Sequence, residues 1–269
     1  MSGAILTLLD QPAAAPGLLR AASRLAELAG GAVVHALIVR TPPAATIMPS
    51  EEVLTTGHAA EIRAAEHARA ADLAAAFAAW RPQVPHGAEL DDVEALVPDV
   101  VAQRGAAADF IVAARPSNHP PGPDLPAIRA ALFSTDQPVL LVPPGDAGEF
   151  GRSVAVAWRD DGHVVKAVLP ALRLLSSASY VHVLQGVRDG PAPPTVPPVF
   201  REHEVAAQMH VLPIGAGVFG QVLLDAAHRL GADLLVMGAY GHNPLRELIF
   251  GGVTRFMLEH ADLPVLMRH

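Results

Sequence analysis

Short apolar runs alternate along the chain with stretches whose apolar residues recur at helical spacing. Residues 4–11, 32–40, 108–114 and 137–143 read as strands, and so do 154–161, 179–187, 232–238 and 263–269. Between them, Leu18, Leu19, Ala22, Leu25 and Ala26 line one helical face that stops at Gly30–Gly31. Val164, Val165, Val168, Leu172 and Leu175 repeat that face, with Pro170 inside the helix. Residues 51–80 predict a long alanine-rich helix. Val218 to Leu230 predict another, closed by Gly231. Near-continuous apolar strands alternating with helices predict an α/β fold whose parallel sheet is covered on both faces.

The order of patterns occurs twice. "AILTLLDQ" at 4–11 matches "VAVAWRDD" at 154–161, and "AVVHALIVR" at 32–40 matches "SYVHVLQGV" at 179–187. "ADFIVAA" at 108–114 matches "ADLLVMG" at 232–238, and each copy closes on a proline-led run, "QPVLLVP" or "LPVLMRH". This predicts two tandem units, 1–148 and 152–269, with the boundary in "PPGDAGEFGR". The second copy lacks most of the long second helix; "RDGPAPPTVPPVFRE" stands there, with prolines that favour a loop. The closing strands are apolar and are expected sheet edges, so the units are predicted to pair through them as an internal pseudo-dimer. That pairing places Val139, Leu141, Val265 and Met267 near its axis.

The chemistry gathers after "DLLVM". Gly238 ends that strand, Gly241 follows, and nine residues later stand Gly251 and Gly252, just before the helical "VTRFMLEH". "HNPLRELIF" between them reads as a short helical excursion opened by Pro244. Ligands in an open parallel sheet bind beyond the carboxyl ends of the strands. Glycines there admit a ligand close to the backbone, and a helix N-terminus offers free N–H groups to an anion such as phosphate. Plain tight turns use the same glycines, and spacing alone leaves both readings open.

"MGAYGHNPLRELIFGGVTR" closely resembles the nucleotide-binding signature of the universal stress protein family, G-x-x-G-x9-G-[S/T]. The likeness covers the chain as two family units, the second the stronger match. It implies a Rossmann-like fold and an adenine nucleotide, ATP or a relative with or without Mg, bound once per chain in the second unit. Gly238, Gly241, Gly251, Gly252, Val253 and Thr254 would then cradle the phosphates and ribose, with Met237 and Val183 lining the adenine slot. Two positions depart from the pattern. Gly252 replaces Ser or Thr, which removes a hydroxyl but leaves the backbone N–H. Arg159 replaces the acidic residue after the first strand, with Asp160 next to it. In the first unit the acid survives as Asp10, but Ala114 replaces the first glycine and "RPSNHPPGPDLPAIR" replaces the loop, so that site is expected to be empty.

Composition narrows the alternatives. Residues 1–151 carry 9 Lys+Arg against 17 Asp+Glu, the whole of the net charge of -8, while residues 152–269 are balanced at 10 and 10. With no basic tract, nucleic acid is an unlikely partner. There are no cysteines, which excludes disulfides and a thiol nucleophile. The N-terminus lacks a basic region before its apolar run, and no run of about 18 apolar residues occurs, so a cytoplasmic location without membrane contact is expected. No paired carboxylates, nucleophile–base pair or metal-spaced histidines stand near the glycines, so no catalytic residue and no metal site is predicted. His35 and His182, at equivalent strand positions, read as core histidines. Trp158 reads as a core or interface aromatic and Arg255 as a solvated one. The expected function is that of a non-enzymatic stress-response or regulatory protein. The alternatives are a ligand-free interaction module of the same fold or a slow ATPase, and a further homodimer is compatible with either.

Overall fold

The computed structural model describes residues 3–46, 55–116, 124–145, 149–160, 164–187, 194–215, 217–239 and 252–269. The first half runs β1 (Ala4–Leu9), α1 (Ala15–Leu28), β2 (Val33–Arg40), α2 (Pro43–Thr46), α3 (Thr56–Trp80), β3 (Ala88–Glu94), α4 (Val97–Gly105), β4 (Phe110–Ala114), α5 (Asp124–Ser134) and β5 (Val139–Val142). The second runs β6 (Ser153–Trp158), α6 (Val164–Ser177), β7 (Tyr180–Val187), α7 (Pro198–Glu202), β8 (Gln208–Pro213), α8 (Phe219–Arg229), β9 (Leu234–Gly238), α9 (Gly252–His260) and β10 (Val265–Arg268). All ten strands form one sheet in the order β3-β2-β1-β4-β5-β10-β9-β6-β7-β8.

Within each half the strands are parallel. The seam between halves is the antiparallel pair β5–β10, with Val265 opposite Leu141, Leu266 opposite Leu140 and Met267 opposite Val139. This is the pairing expected of the two closing strands. Val139, Leu141, Val265 and Met267 are each at most 2% exposed. Alternation along the strands sends Leu140 and Leu266 into the core on the α1, α3 and α6 face. Their neighbours enter the core on the α4, α5, α8 and α9 face. An antiparallel seam relates the halves by an approximate two-fold axis through the sheet. The carboxyl ends of β1 and β6 therefore point to opposite rims.

The repeat also shows in what its residues do. Asp109, ahead of β4, accepts from the Ala4 amide at 2.7 Å. Asp233, ahead of β9, accepts from the Gly151, Arg152 and Ser153 amides at 2.7–3.2 Å. In each half the aspartate of the "AD" pair thus ties the start of the first strand to its neighbour. Helix ends fall where the glycines stand: Gly30, Gly31 and Gly231 have φ of 89°, 95° and 63°, a backbone region other residues avoid. Thr55 starts α3 by accepting from the His58 amide at 3.2 Å. Of the long helix predicted over 51–80, residues 51–54 lie outside the described residues.

Arginines from each half close helices of the other. Arg115, just past β4, donates to the Leu258 and Glu259 carbonyls at the end of α9, at 3.1 and 2.7 Å. Arg173, on α6, donates to the Ala29 carbonyl at the end of α1, at 2.9 Å. A cation at a helix C-terminus contributes about 0.3–1 kcal/mol at an exposed site. A methyl group on Gly30 would collide with the Arg173 guanidinium, so this glycine serves the arginine as well as the turn.

His182 is buried as expected, but His35 is not a core residue. Its side chain is 40% exposed, and its Nδ1 lies 3.3 Å from Glu89, the residue opposite it on β3. At the matching positions of the second half, Gln208 replaces the acid, and the His182 ring packs between Tyr180 and His210.

Candidate functional site

The second half changes winding direction between β6 and β9, neighbours in the sheet whose crossover helices cover opposite faces. Crevices in such sheets open at that point, beyond the strand carboxyl ends. Here the rim is built from Trp158, Arg159 and Asp160 after β6, Gly238 and Ala239 at the end of β9, and Gly252 opening α9. Arg159 and Asp160 are exposed. Trp158 is half-buried, edge-on to Phe200 of α7 at a centroid distance of 5.9 Å. This fits the interface role expected of it. The short α7, in place of a long helix, thereby props the aromatic that edges the crevice.

Gly238 pairs with Arg268 of β10 and is buried. Gly252 is exposed, and a Cβ there would meet no atom within 4 Å. Val253 is half-buried, and Thr254 is only 2% exposed. Gly241, Gly251 and the helical excursion between them lie outside the described residues. Arg255 projects from the first turn of α9 and is held by Glu259, one turn on, at 2.7 Å. It is an exposed ion pair on its own helix.

Met237 packs into the core on the α8–α9 face, one residue below Gly238. Val183 packs into the core on the opposite face. It is level with Val156 and Val236, two residues short of the Trp158–Gly238 rim, and fully buried. The residue on its face that stands above the rim is Val187, half-buried at the end of β7. Counting two residues per side-chain repeat from the end of the strand would have found it.

In the first half, the carboxyl ends of β1 and β2 are bridged by a side chain of the protein itself. Arg69 reaches over from α3 and donates through Nη1 to the Asp10 carbonyl at 2.9 Å. Its Nη2 donates to the Val39 carbonyl at 2.6 Å and to Glu66 Oε2 at 2.8 Å. The Asp10 carboxylate, the acid expected to meet a nucleoside, lies 3.4 Å from Nη1. Burial alone would raise the Glu66 carboxyl. Hydrogen bonds from Arg69 and the Thr41 amide instead hold it below its ordinary value of 4.5. The guanidinium is likewise held charged against the cost of burial by Glu66 and Asp10. No motif announces this bridge; it depends on where a long helix crosses two strand ends.

Among the described residues, no group of three or more metal-binding side chains converges, and no helix is long and apolar enough to cross a membrane.

Residues 200–269 match the model of the universal stress protein family. A stress response protein, NhaX, of Bacillus subtilis (strain 168) is 38% identical over 45 residues. That stretch is 17% of this chain and spans only 27% of the length of that curated relative. Among solved structures, a universal stress protein from Archaeoglobus fulgidus DSM 4304 is similar with a TM-score of 0.70 at 14% identity, over 100% of this chain and 96% of that one. A Pseudomonas aeruginosa UCBPP-PA14 protein described under the same family name is similar with a TM-score of 0.63 at 17% identity, over 99% and 93%. At these identities the structural likeness speaks for the fold.

Proposed function

We propose that this chain, residues 200–269 of which match the family model, is a tandem universal stress protein: a stress-response protein of the cytoplasm that binds one adenine nucleotide per chain. ATP or a relative, with or without Mg, would sit in the second-half crevice. The observations that support this reading are Gly238 at the end of β9, on the rim where the winding reverses, and Gly252 opening α9, where a Cβ would meet no atom within 4 Å. Free N–H groups and the positive end of the helix dipole suit a phosphate there. Gly241, Gly251, Val253 and Thr254 complete the loop and first turn on the sequence pattern, with Met237 and Val183 as the apolar wall and Val187 above Val183 at the end of β7.

The stoichiometry follows from the first half. The Arg69 bonds to the Asp10 and Val39 carbonyls, with the Asp10 acid already paired, support a first half without a nucleoside of its own. The proposed role is binding and not efficient turnover: among the described residues the rim side chains are Trp158, Arg159 and Asp160, with no nucleophile–base pair. The ligand-free reading draws on Arg159 and Gly252, the two departures from the family pattern.

Calorimetric titration with ATP tests the proposal. One site per chain is expected, lost in the Gly238→Val, Gly252→Val double variant while its far-UV circular dichroism stays unchanged. Two equivalent sites, or binding that survives the double variant, would sink it. No binding by the native chain, and no nucleotide co-purifying by mass spectrometry, would favour the ligand-free module.

A further inference from the structure

Among the described residues, β3 and β8 are the outer strands of the ten-stranded sheet, and they differ in charge. The β3 edge carries Glu89, Asp91, Asp92 and Glu94. Arg40 pairs with Asp92 and Glu94, and Arg104 with Asp91, so these acids are tied to their own half. Charges along an edge discourage pairing with another chain. The β8 edge has no such protection: from Val205 to Val218 there is no Asp, Glu, Lys or Arg. Six large hydrophobic side chains are exposed among the described residues, and four belong here. Tyr180 is on β7, Val211 on β8, and Ile214 and Val218 follow it.

The backbone is set for one more strand. The Ile214 N–H donates inward to the Val187 carbonyl at 3.1 Å. Backbone groups alternate along a strand, so His210 and Leu212 also face β7, while Met209 and Val211 turn their N–H and C=O outward. Pro213, the next outward position, has no N–H and ends the ladder.

We propose that β8 is a docking edge for a second copy of this chain, which adds its own β8 antiparallel across a two-fold axis. In such a pairing each side chain meets its own kind. A strand like β3 could do this only by opposing like charges; β8 is neutral and apolar, and so is self-complementary. Docking β8 on the β3 edge of another copy would set Val211 against carboxylates, and its head-to-tail geometry need not close. The short ladder before Pro213 places the axis at His210 or Val211, so Val211 lies opposite or diagonal to its own copy. Nothing in this rests on the nucleotide crevice, and nucleotide-free protein serves for the test.

Sedimentation of the full chain from about 1 to 100 µM reads the association directly. A dimer is expected. Val211→Lys and Val211→Glu should each raise its Kd by at least about tenfold, and an equal mixture of the two should restore it. Val211 is 49% exposed, so both variants should keep the native melting curve. In the unmodified chain, the Met209 and Val211 amides should exchange more slowly with deuterium as concentration rises. Overturning results are a native chain monomeric at about 100 µM, a dimer indifferent to Val211→Lys, a mixture that stays monomeric, open filaments, or exchange at Met209 and Val211 independent of concentration.

Discussion

His182 carries a testable pH dependence in one side chain. It is 6% exposed, its Nδ1 lies 3.1 Å from His210 Nε2, and Tyr180 stacks on its ring. Burial, and then the nearby His210, hold its pKa below the ordinary 6.5. The unfolded chain therefore takes up this proton first as pH falls. The stability is full above 6.5 and declines as pH drops from there toward the lowered folded value. His182→Gln removes the titration. The stability gap between native protein and variant, from urea midpoints, should narrow steadily as pH is lowered from about 7 to 5. A gap constant with pH would show that the ring does not titrate against folding. The burial of His182 was legible from its apolar strand. The exposure of His35, in a matching strand, was not, because Glu89 decides it from the next strand over.

At the scale of elements, α6 shows a local fault repaired from far away. Pro170 lies inside the helix and offers no N–H to the Lys166 carbonyl one turn earlier. Arg268, near the end of β10, donates Nη1 to that carbonyl at 3.0 Å. The two residues should therefore be coupled. Arg268→Ala should cost more stability in the native background than in Pro170→Ala, where the amide resumes the bond. A coupling of about 0.5–1.5 kcal/mol is expected from a double-mutant cycle in urea. Additive effects would mean that the arginine is incidental to the proline. The fault was visible in the sequence; its repair, 102 residues away, was not. Strands β3 and β8 and helix α4 also escaped the sequence reading. Four acids mask the alternation of β3, Pro213 and His210 break that of β8, and α4 is too short to show a period. These are elements whose form is set by neighbours more than by their own pattern.

For the whole molecule, the decisive feature is the β5–β10 seam. Val265 is 1% exposed and pairs with Leu141 across the halves. Val265→Asp buries a carboxylate with no partner, a class of change that costs about 4 kcal/mol or more. Both halves should lose stability together, in one calorimetric transition moved to lower temperature. Two transitions, with only the second displaced, would show that the halves fold apart. The seam was legible because a duplicated chain ends each unit on the same apolar strand. The reciprocal arginines 115 and 173 were not, since nothing near either residue in the chain names the helix it closes.

The arginine bridge in the first half has a consequence for mass action under the proposed single-site reading. With Asp10 held by Arg69, a ligand would act through the second crevice alone, and the stability it adds would grow as the logarithm of free ligand. At a concentration one hundred times Kd that gain is about 2.7 kcal/mol. Because the halves share one seam, that gain would accrue to both, and the half without a ligand would be kept folded by the half proposed to bind one.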